Sequence, residues 1–199
     1  MADFPSWGHY PPTFGQKHQP ISWRTDKLPT SASLLPRGLG RSYGDVCLNN
    51  NGTLLTTAAL THLIDFDAST GLLRAESGLS FADLLAFCVP RGWFVPVTPG
   101  TKYVTLGGAL ANDIHGKNHH IAGTIGRHIK CFELLRSNGD RLICSETENK
   151  DLFCATIGGL GLTGLVTWIE VQLIPIKSSW INQEIIPFTS LADFFAIND

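Results

Sequence analysis

Three glycine-rich segments carry most of the chemistry this sequence can offer: Arg37 to Asp45, Pro99 to Gly116 and Gly158 to Gly164. Each lies beside an expected strand end, and each supplies backbone N–H groups with little side chain to shield them. Such groups cradle anionic oxygens at close range. One loop would suit one phosphate. Three suit a long ligand carrying a diphosphate and a flat ring, because glycine and alanine let the backbone approach both. Arg41 adds a charge-assisted contact. Taken singly, any of the loops reads equally well as a turn.

Other motifs suggest different chemistry and fail on context. Gly159-Leu160-Gly161-Leu162-Thr163-Gly164 matches the G-x-G-x-x-G dinucleotide fingerprint, which needs a strand before it and a helix after it. Here the expected order is helix, loop, strand. Gly40-Arg41-Ser42-Tyr43-Gly44 matches the G-x-S-x-G nucleophile elbow, with Asp113 and His115 downstream as acid and base. An elbow requires a helix directly after the serine, and the asparagine-rich Asp45 to Gly52 is loop chemistry. A serine hydrolase built on Ser42 is therefore the catalytic alternative. His115 and His119 have the spacing of two ligands on a helix, but Gly116 and Asn118 oppose a helix there and no glutamate stands between them to serve as base. No metal site is expected.

The elements that must position these loops follow from periodicity and turn residues. Strands are expected at Ser33 to Pro36, Leu54 to Thr57, Leu72 to Glu76 and Trp93 to Pro96. Ser80-Phe81-Ala82-Asp83 opens a helix through Phe87 that Pro90-Arg91-Gly92 ends. Val104 to Asn112 reads as a helix of small residues. Asn138-Gly139 joins strands Ile129 to Arg136 and Arg141 to Cys144 in a hairpin. Lys150 to Thr156 is a short helix, and Leu165 to Pro175 alternates with the period of a strand. After Pro175 a strand at Ile181 to Ile186 and a helix from Thr189 to Asp199 begin again.

Composition narrows the function classes. Fifteen basic residues face seventeen acidic ones, so the chain lacks the charge excess with which a nucleic-acid binder neutralises phosphates. Nucleic acid is not an expected partner. The five cysteines form no C-x-x-C pair, which argues against a disulfide framework or zinc knuckle and for a reducing compartment. No stretch approaches the roughly 18 apolar residues of a membrane span. A cytoplasmic protein is expected.

The residues of the glycine loops also carry a resemblance. Leu35 to Asp45, Pro99-Gly100-Thr101 with Thr105-Leu106-Gly107-Gly108-Ala109, and Asp113-Ile114-His115-Gly116-Lys117-Asn118-His119-His120 look like the FAD-binding domain of the vanillyl-alcohol oxidase (PCMH-type) superfamily. Within it they resemble the decaprenylphosphoryl-β-D-ribose oxidase group. Ser6-Trp7-Gly8 and Gly158 to Gly164 extend the likeness over nearly the whole chain. The implied fold class is α+β, a PCMH-type domain of two α/β subdomains with FAD between them. The implied organisation is an N-terminal arm at 1–30, an FAD-binding domain at 31–176 with its internal break near 97–101, and at 177–199 the start of a truncated substrate or cap domain.

The resemblance also implies roles. Arg37, Gly38, Leu39, Gly40, Arg41, Ser42 and Tyr43 would wrap the FAD diphosphate. Gly100, with Thr105, Leu106, Gly107, Gly108, Asn112, Asp113, Ile114 and His115, would line the diphosphate and isoalloxazine, and Val166 would touch the cofactor from the closing strand. Several superfamily members tether the flavin to a histidine in the first glycine loop; Arg41 stands there in this chain, which implies non-covalent FAD.

The implied activity is that of an FAD-dependent oxidoreductase taking hydride from a secondary alcohol of a sugar-type substrate, such as a polyprenyl-phosphoryl ribose. A reductase partner would act on the keto product. Lys117 and His115 would be catalytic on the substrate side, Lys117 holding a polar or anionic group and His115 accepting a proton. Lys117 also reads as a solvated surface lysine, and His115 as ring packing. A non-catalytic flavin or nucleotide-binding module is the remaining alternative.

Overall fold

The computed structural model describes residues 4–31 and 33–198, so Met1 to Asp3 of the expected arm and Asp199 of the expected last helix lie outside it. In chain order the elements are β1 (Lys17–Pro20), β2 (Leu34–Arg37), β3 (Thr53–Thr56), β4 (Leu63–Asp67), β5 (Leu72–Glu76), α1 (Phe81–Cys88), β6 (Trp93–Phe94), α2 (Leu106–Ala111), α3 (His119–Ala122), β7 (Ile129–Leu135), β8 (Arg141–Ser145), α4 (Lys150–Thr156), β9 (Leu165–Gln172), β10 (Ile174–Pro175) and α5 (Leu191–Asn198). The class is α+β.

Two sheets dominate. The first is three-stranded and parallel, in the order β1-β3-β2. Pro20 and Pro36 fall on its two edge strands and the central strand Thr53-Leu54-Leu55-Thr56 has none, as the missing proline donor requires. The second sheet is five-stranded, antiparallel throughout, in the order β4-β5-β9-β7-β8. Its strand β9 alternates as the sequence suggests, burying Leu165, Thr167, Ile169 and Val171 while Trp168 and Glu170 face outward. There Arg74, directly opposite Glu170, bonds its carboxylate at 2.7 Å and stacks over Trp168.

The helices form where local chemistry calls for them. Ser80 Oγ accepts from the Asp83 N–H and donates to the Asp83 carboxylate, capping α1, which turns Phe81, Leu84 and Cys88 inward. Pro90 and Gly92 (φ 80°) end it. Thr105 caps α2 by accepting from the Gly108 N–H, and Leu106, Ala109 and Leu110 face the core at helical spacing. Each fully buried leucine of this kind contributes roughly 1.5–3 kcal/mol.

One hydrophobic core runs from β5 through α1 and α2 to β7 and β9, and it includes Val95 and Val97 as well as Leu106, Ala109 and Leu110. Val97 belongs to that core, while Thr98 and Pro99 are half-buried and Gly100 is exposed, so the expected subdomain break near 97–101 falls where the chain leaves the core for the surface. The division between sheets falls earlier, between β3 and β4, and a second cluster of Ile21, Leu55, Leu60, Leu135 and Leu165 packs across it. Gly78 marks the tightest approach, since a Cβ there would strike the carbonyl oxygens of Thr57 and Leu60.

The expected N-terminal arm contributes β1, an edge strand of mostly exposed residues, to the parallel sheet. Strand β4 was not legible, because it is an edge strand with alternate residues exposed and two aspartates, poor strand formers. Ile181 to Ile186, despite its β-branched run, forms no strand and is exposed throughout, with no described segment hydrogen-bonded to it as a ladder. All described residues from Lys177 onward are exposed, including Trp180 at 88% and Ile181 at 90%. None of the helices is long and apolar enough to cross a membrane among the described residues.

Candidate cofactor-binding site

A cavity of about 740 Å³ opens along the seam between the two sheets, within the range of roughly 300–1,000 Å³ usual for ligand and cofactor sites. The carboxyl ends of β2 and β3 bring Arg37 and Thr57 to one wall, and β5 brings Ser77 to another. The amino end of β9 adds Leu165 and Val166. All three glycine-rich segments reach it: Gly38 to Tyr43 from the first, Gly100, Thr105, Gly107, Gly108, Asn112 and Ile114 from the second, and Leu160, Gly161 and Gly164 from the third.

The first loop is built for an anion. Among the described residues, none of the backbone N–H groups from Gly38 to Val46 donates to a protein acceptor. Gly40 (φ 62°) takes a left-handed conformation and lies against the Arg37 guanidinium, where any Cβ would collide. Arg37 is only 8% exposed and its Nε has no hydrogen-bond partner among the described residues. No carboxylate lies within ion-pair distance of Arg37 or Arg41 among the described residues. Burial pushes the Arg37 guanidinium below its usual range; the neighbouring Cys47 opposes the shift and the Arg41 charge adds to it. A buried cation without a counter-charge is costly; a diphosphate in the cavity would supply one. The orphaned Nε, the unused N–H groups and the volume fit the diphosphate of FAD.

Helix α2 contributes differently from expectation. The N–H of Gly107 donates to the Ser77 carbonyl at 2.7 Å, and that of Gly108 to Thr105 Oγ1 at 3.0 Å. These amides are committed to the protein, so α2 presents a close, smooth wall instead of anion donors. Beside it, Ser77 Oγ is buried at the cavity wall with no hydrogen-bond partner among the described residues.

Four expected residues do not line the cavity. The side chain of Leu106 is fully buried in the core. Asp113, at φ 41°, accepts from the Gly126 N–H at 2.9 Å and pins the following turn. His115 pairs by a backbone bridge with Thr124, its exposed ring 5.6 Å from that of His119. Lys117 is exposed, beyond the buried Gly116 and next to Asn118, which anchors the loop through the Pro96 carbonyl. Of the 113–117 run only its neighbour Ile114 reaches the wall.

The discarded motifs are settled by the same geometry. Helix α4 enters the Gly159 to Gly164 loop and strand β9 leaves it, the reverse of a Rossmann turn. Ser42 lines the cavity, but no helix follows it, and neither Asp113 nor His115 is in the wall with it. Among the described residues no histidine lines the cavity; one cysteine does, Cys47, whose thiol is pushed up by burial although Arg37 opposes the shift.

Sequence reasoning missed Trp7, Cys47, Thr57, Ser77 and Thr156 as wall residues. They come from five separate parts of the chain, and only Trp7 carried a signal, as part of the Ser6-Trp7-Gly8 likeness.

Residues 29–145 match the FAD binding domain family. The chain is 42% identical over 148 residues to decaprenylphosphoryl-beta-D-ribose oxidase of Mycolicibacterium smegmatis, covering 74% of this chain and 32% of that protein. It is 29% identical over 165 residues to cytokinin dehydrogenase 8 of Oryza sativa subsp. indica (76% and 31%) and 27% identical over 118 residues to Delta(24)-sterol reductase of Rattus norvegicus (59% and 23%). The chain thus spans a third or less of the length of these relatives. Because the matched stretch runs from β2 to β8 and takes in the first glycine loop, Ser77 and α2, most of the cavity wall lies inside it, and the chain belongs to the FAD binding domain family.

Proposed function

We propose that this chain holds FAD non-covalently in the seam between its two sheets, as the cofactor domain of an oxidoreductase that oxidises a secondary alcohol of a sugar-type substrate. The observation that carries the reading is the first glycine loop: two arginines without carboxylate partners and a run of unused backbone N–H groups on the wall of a cavity of about 740 Å³. Bound FAD supplies hydride acceptance. The chain's own residues do the rest: Arg37 and Arg41 neutralise the diphosphate, and Ser77 donates or accepts at one polar atom. The α2 backbone and Val166 shape the apolar part of the slot and keep water from it.

Support for the substrate class is the 42% identity to decaprenylphosphoryl-beta-D-ribose oxidase; a polyprenyl-phosphate sugar and a reductase acting on the keto product belong to the same proposal. His115 follows the wall residue Ile114 and Lys117 lies two positions further along the same loop; both are proposed to meet substrate, Lys117 binding an anionic group and His115 taking the hydroxyl proton. Residues 177–199 are proposed to belong to a separate unit over the flavin, which their exposed apolar side chains favour. Non-covalent binding is favoured by Arg41 in the loop and by the burial that pushes the Cys47 thiol up. The five unpaired cysteines suit a reducing, cytoplasmic setting.

The purified protein should be yellow, with a flavin absorption spectrum, and acid precipitation should release all the colour into the supernatant. Colour retained on the denatured chain would overturn non-covalent binding. A colourless protein that FAD cannot reconstitute would overturn the cofactor assignment.

A further inference from the structure

We propose that the segment Phe4 to Trp7 is an aromatic clamp that holds the two guanidinium groups of the first glycine loop in place for the cofactor's diphosphate, making Trp7 a positioning residue for FAD. The inference rests on the FAD reading above and deepens it.

Each arginine of the Arg37-Gly38-Leu39-Gly40-Arg41 run is gripped from the same side. The Arg41 guanidinium lies over the Trp7 indole at 4.7 Å, and the Arg37 guanidinium over the Phe4 ring at 5.1 Å. Arg37 also donates from Nη2 to the Pro5 carbonyl at 2.8 Å, and the Trp7 N–H donates to the Ser42 carbonyl at 3.0 Å. Ser6, between them, is buried and bonds the Tyr10 carbonyl. The clamp is therefore tied by backbone at both ends of the loop.

The partners chosen matter chemically. A carboxylate would hold an arginine as firmly, yet it would cancel the charge that an anion needs. An aromatic face attracts the cation through its quadrupole and leaves the net charge intact. Trp7 is 52% exposed, which is a poor position for a residue whose purpose is core packing, but it lies on the wall of the cavity beside Arg41. Without the ring, the Arg41 side chain would be held, among the described residues, by its bond to the Leu39 carbonyl at 3.1 Å alone.

The test is FAD affinity of the apoprotein, read by quenching of flavin fluorescence, for Trp7→Leu, Trp7→Phe, Arg41→Gln and the double variant Trp7→Leu/Arg41→Gln. Trp7→Leu should weaken FAD binding about five-fold and flatten its salt dependence, whereas Trp7→Phe stays within about two-fold. In the Arg41→Gln background, Trp7→Leu should cost almost nothing further, because the two act as one unit. Simple multiplication of the two effects, equal weakening by leucine and phenylalanine, or no weakening by leucine would each overturn the clamp. Wild-type protein that binds no FAD would instead remove the cofactor reading on which it rests.

Discussion

The backbone N–H of Gly107 meets the carbonyl of Ser77 at 2.7 Å, and a Cβ added to that glycine would stand 2.9 Å from Ser77 Cβ. One contact thus docks α2 on the end of β5 where both face the cavity. The sequence suggests that bulk at Gly107 would intrude on the cofactor; the structure directs the collision into the protein. Gly107→Val should destabilise the apoprotein by about 2 kcal/mol through overpacking and lose FAD as the wall shifts. Gly108→Val, which meets only the Thr105 hydroxyl at 2.9 Å, should be milder in both. Urea denaturation and flavin content check the order, and a Gly107 variant of wild-type stability would contradict it.

Ser77 gives an opposite pattern. Its hydroxyl is buried without a partner, a cost carried by the empty protein. Ser77→Ala should leave the apoprotein as stable or about 1 kcal/mol more so, while weakening FAD roughly five-fold. Thermal melts of the apoprotein and FAD titration separate the two effects. Unchanged FAD affinity would mean that the hydroxyl faces the cavity without bonding the cofactor.

Lys117 stands outside the cavity wall and is exposed. Lys117→Ala should therefore alter stability by less than about 0.5 kcal/mol and keep the flavin spectrum, while abolishing reduction of the bound flavin by substrate in the intact enzyme. A colourless Lys117→Ala protein would assign the lysine to the cofactor, and full reduction by substrate would return it to the solvated surface.

Cys131 sets a limit at alkaline pH. Burial, followed by the charge of Glu170, pushes its thiol from 9.0 up to about 11. A pKa raised on folding favours the folded state fully below the unfolded value and loses that contribution as pH rises through the folded one. Stability should thus fall between about pH 9 and 11, and Cys131→Ser should flatten that fall. Denaturation midpoints across this range provide the measurement; the same slope in both proteins would exclude the thiol as its source.

Much of the site was legible because its requirements are local. A loop that must expose its backbone to a diphosphate needs glycine, so Gly38 to Gly44 announces itself whatever surrounds it. Caps are local too: Ser80 and Thr105 lie where α1 and α2 begin. The alternation of Leu165 to Gln172 reports a strand with one buried face.

What the sequence alone determined is this set of loops, caps and strands, and with them membership in an FAD-binding family. Which groups face one another was decided only by tertiary structure. Arg37 and Arg41 have no carboxylate within ion-pair distance among the described residues, and composition cannot reveal that. Ser77 and Trp7 reach one cavity from distant parts of the chain, while Asp113 and His115, which flank the wall residue Ile114, do not. The segment at 97–101 has the proline and glycine of a boundary, and only packing shows that its Val97 is buried in the core with α1 and α2. Sequence spacing reports the direction of a side chain within its own element. Placement across a seam between sheets depends on register and packing between segments far apart in sequence, which no local pattern encodes.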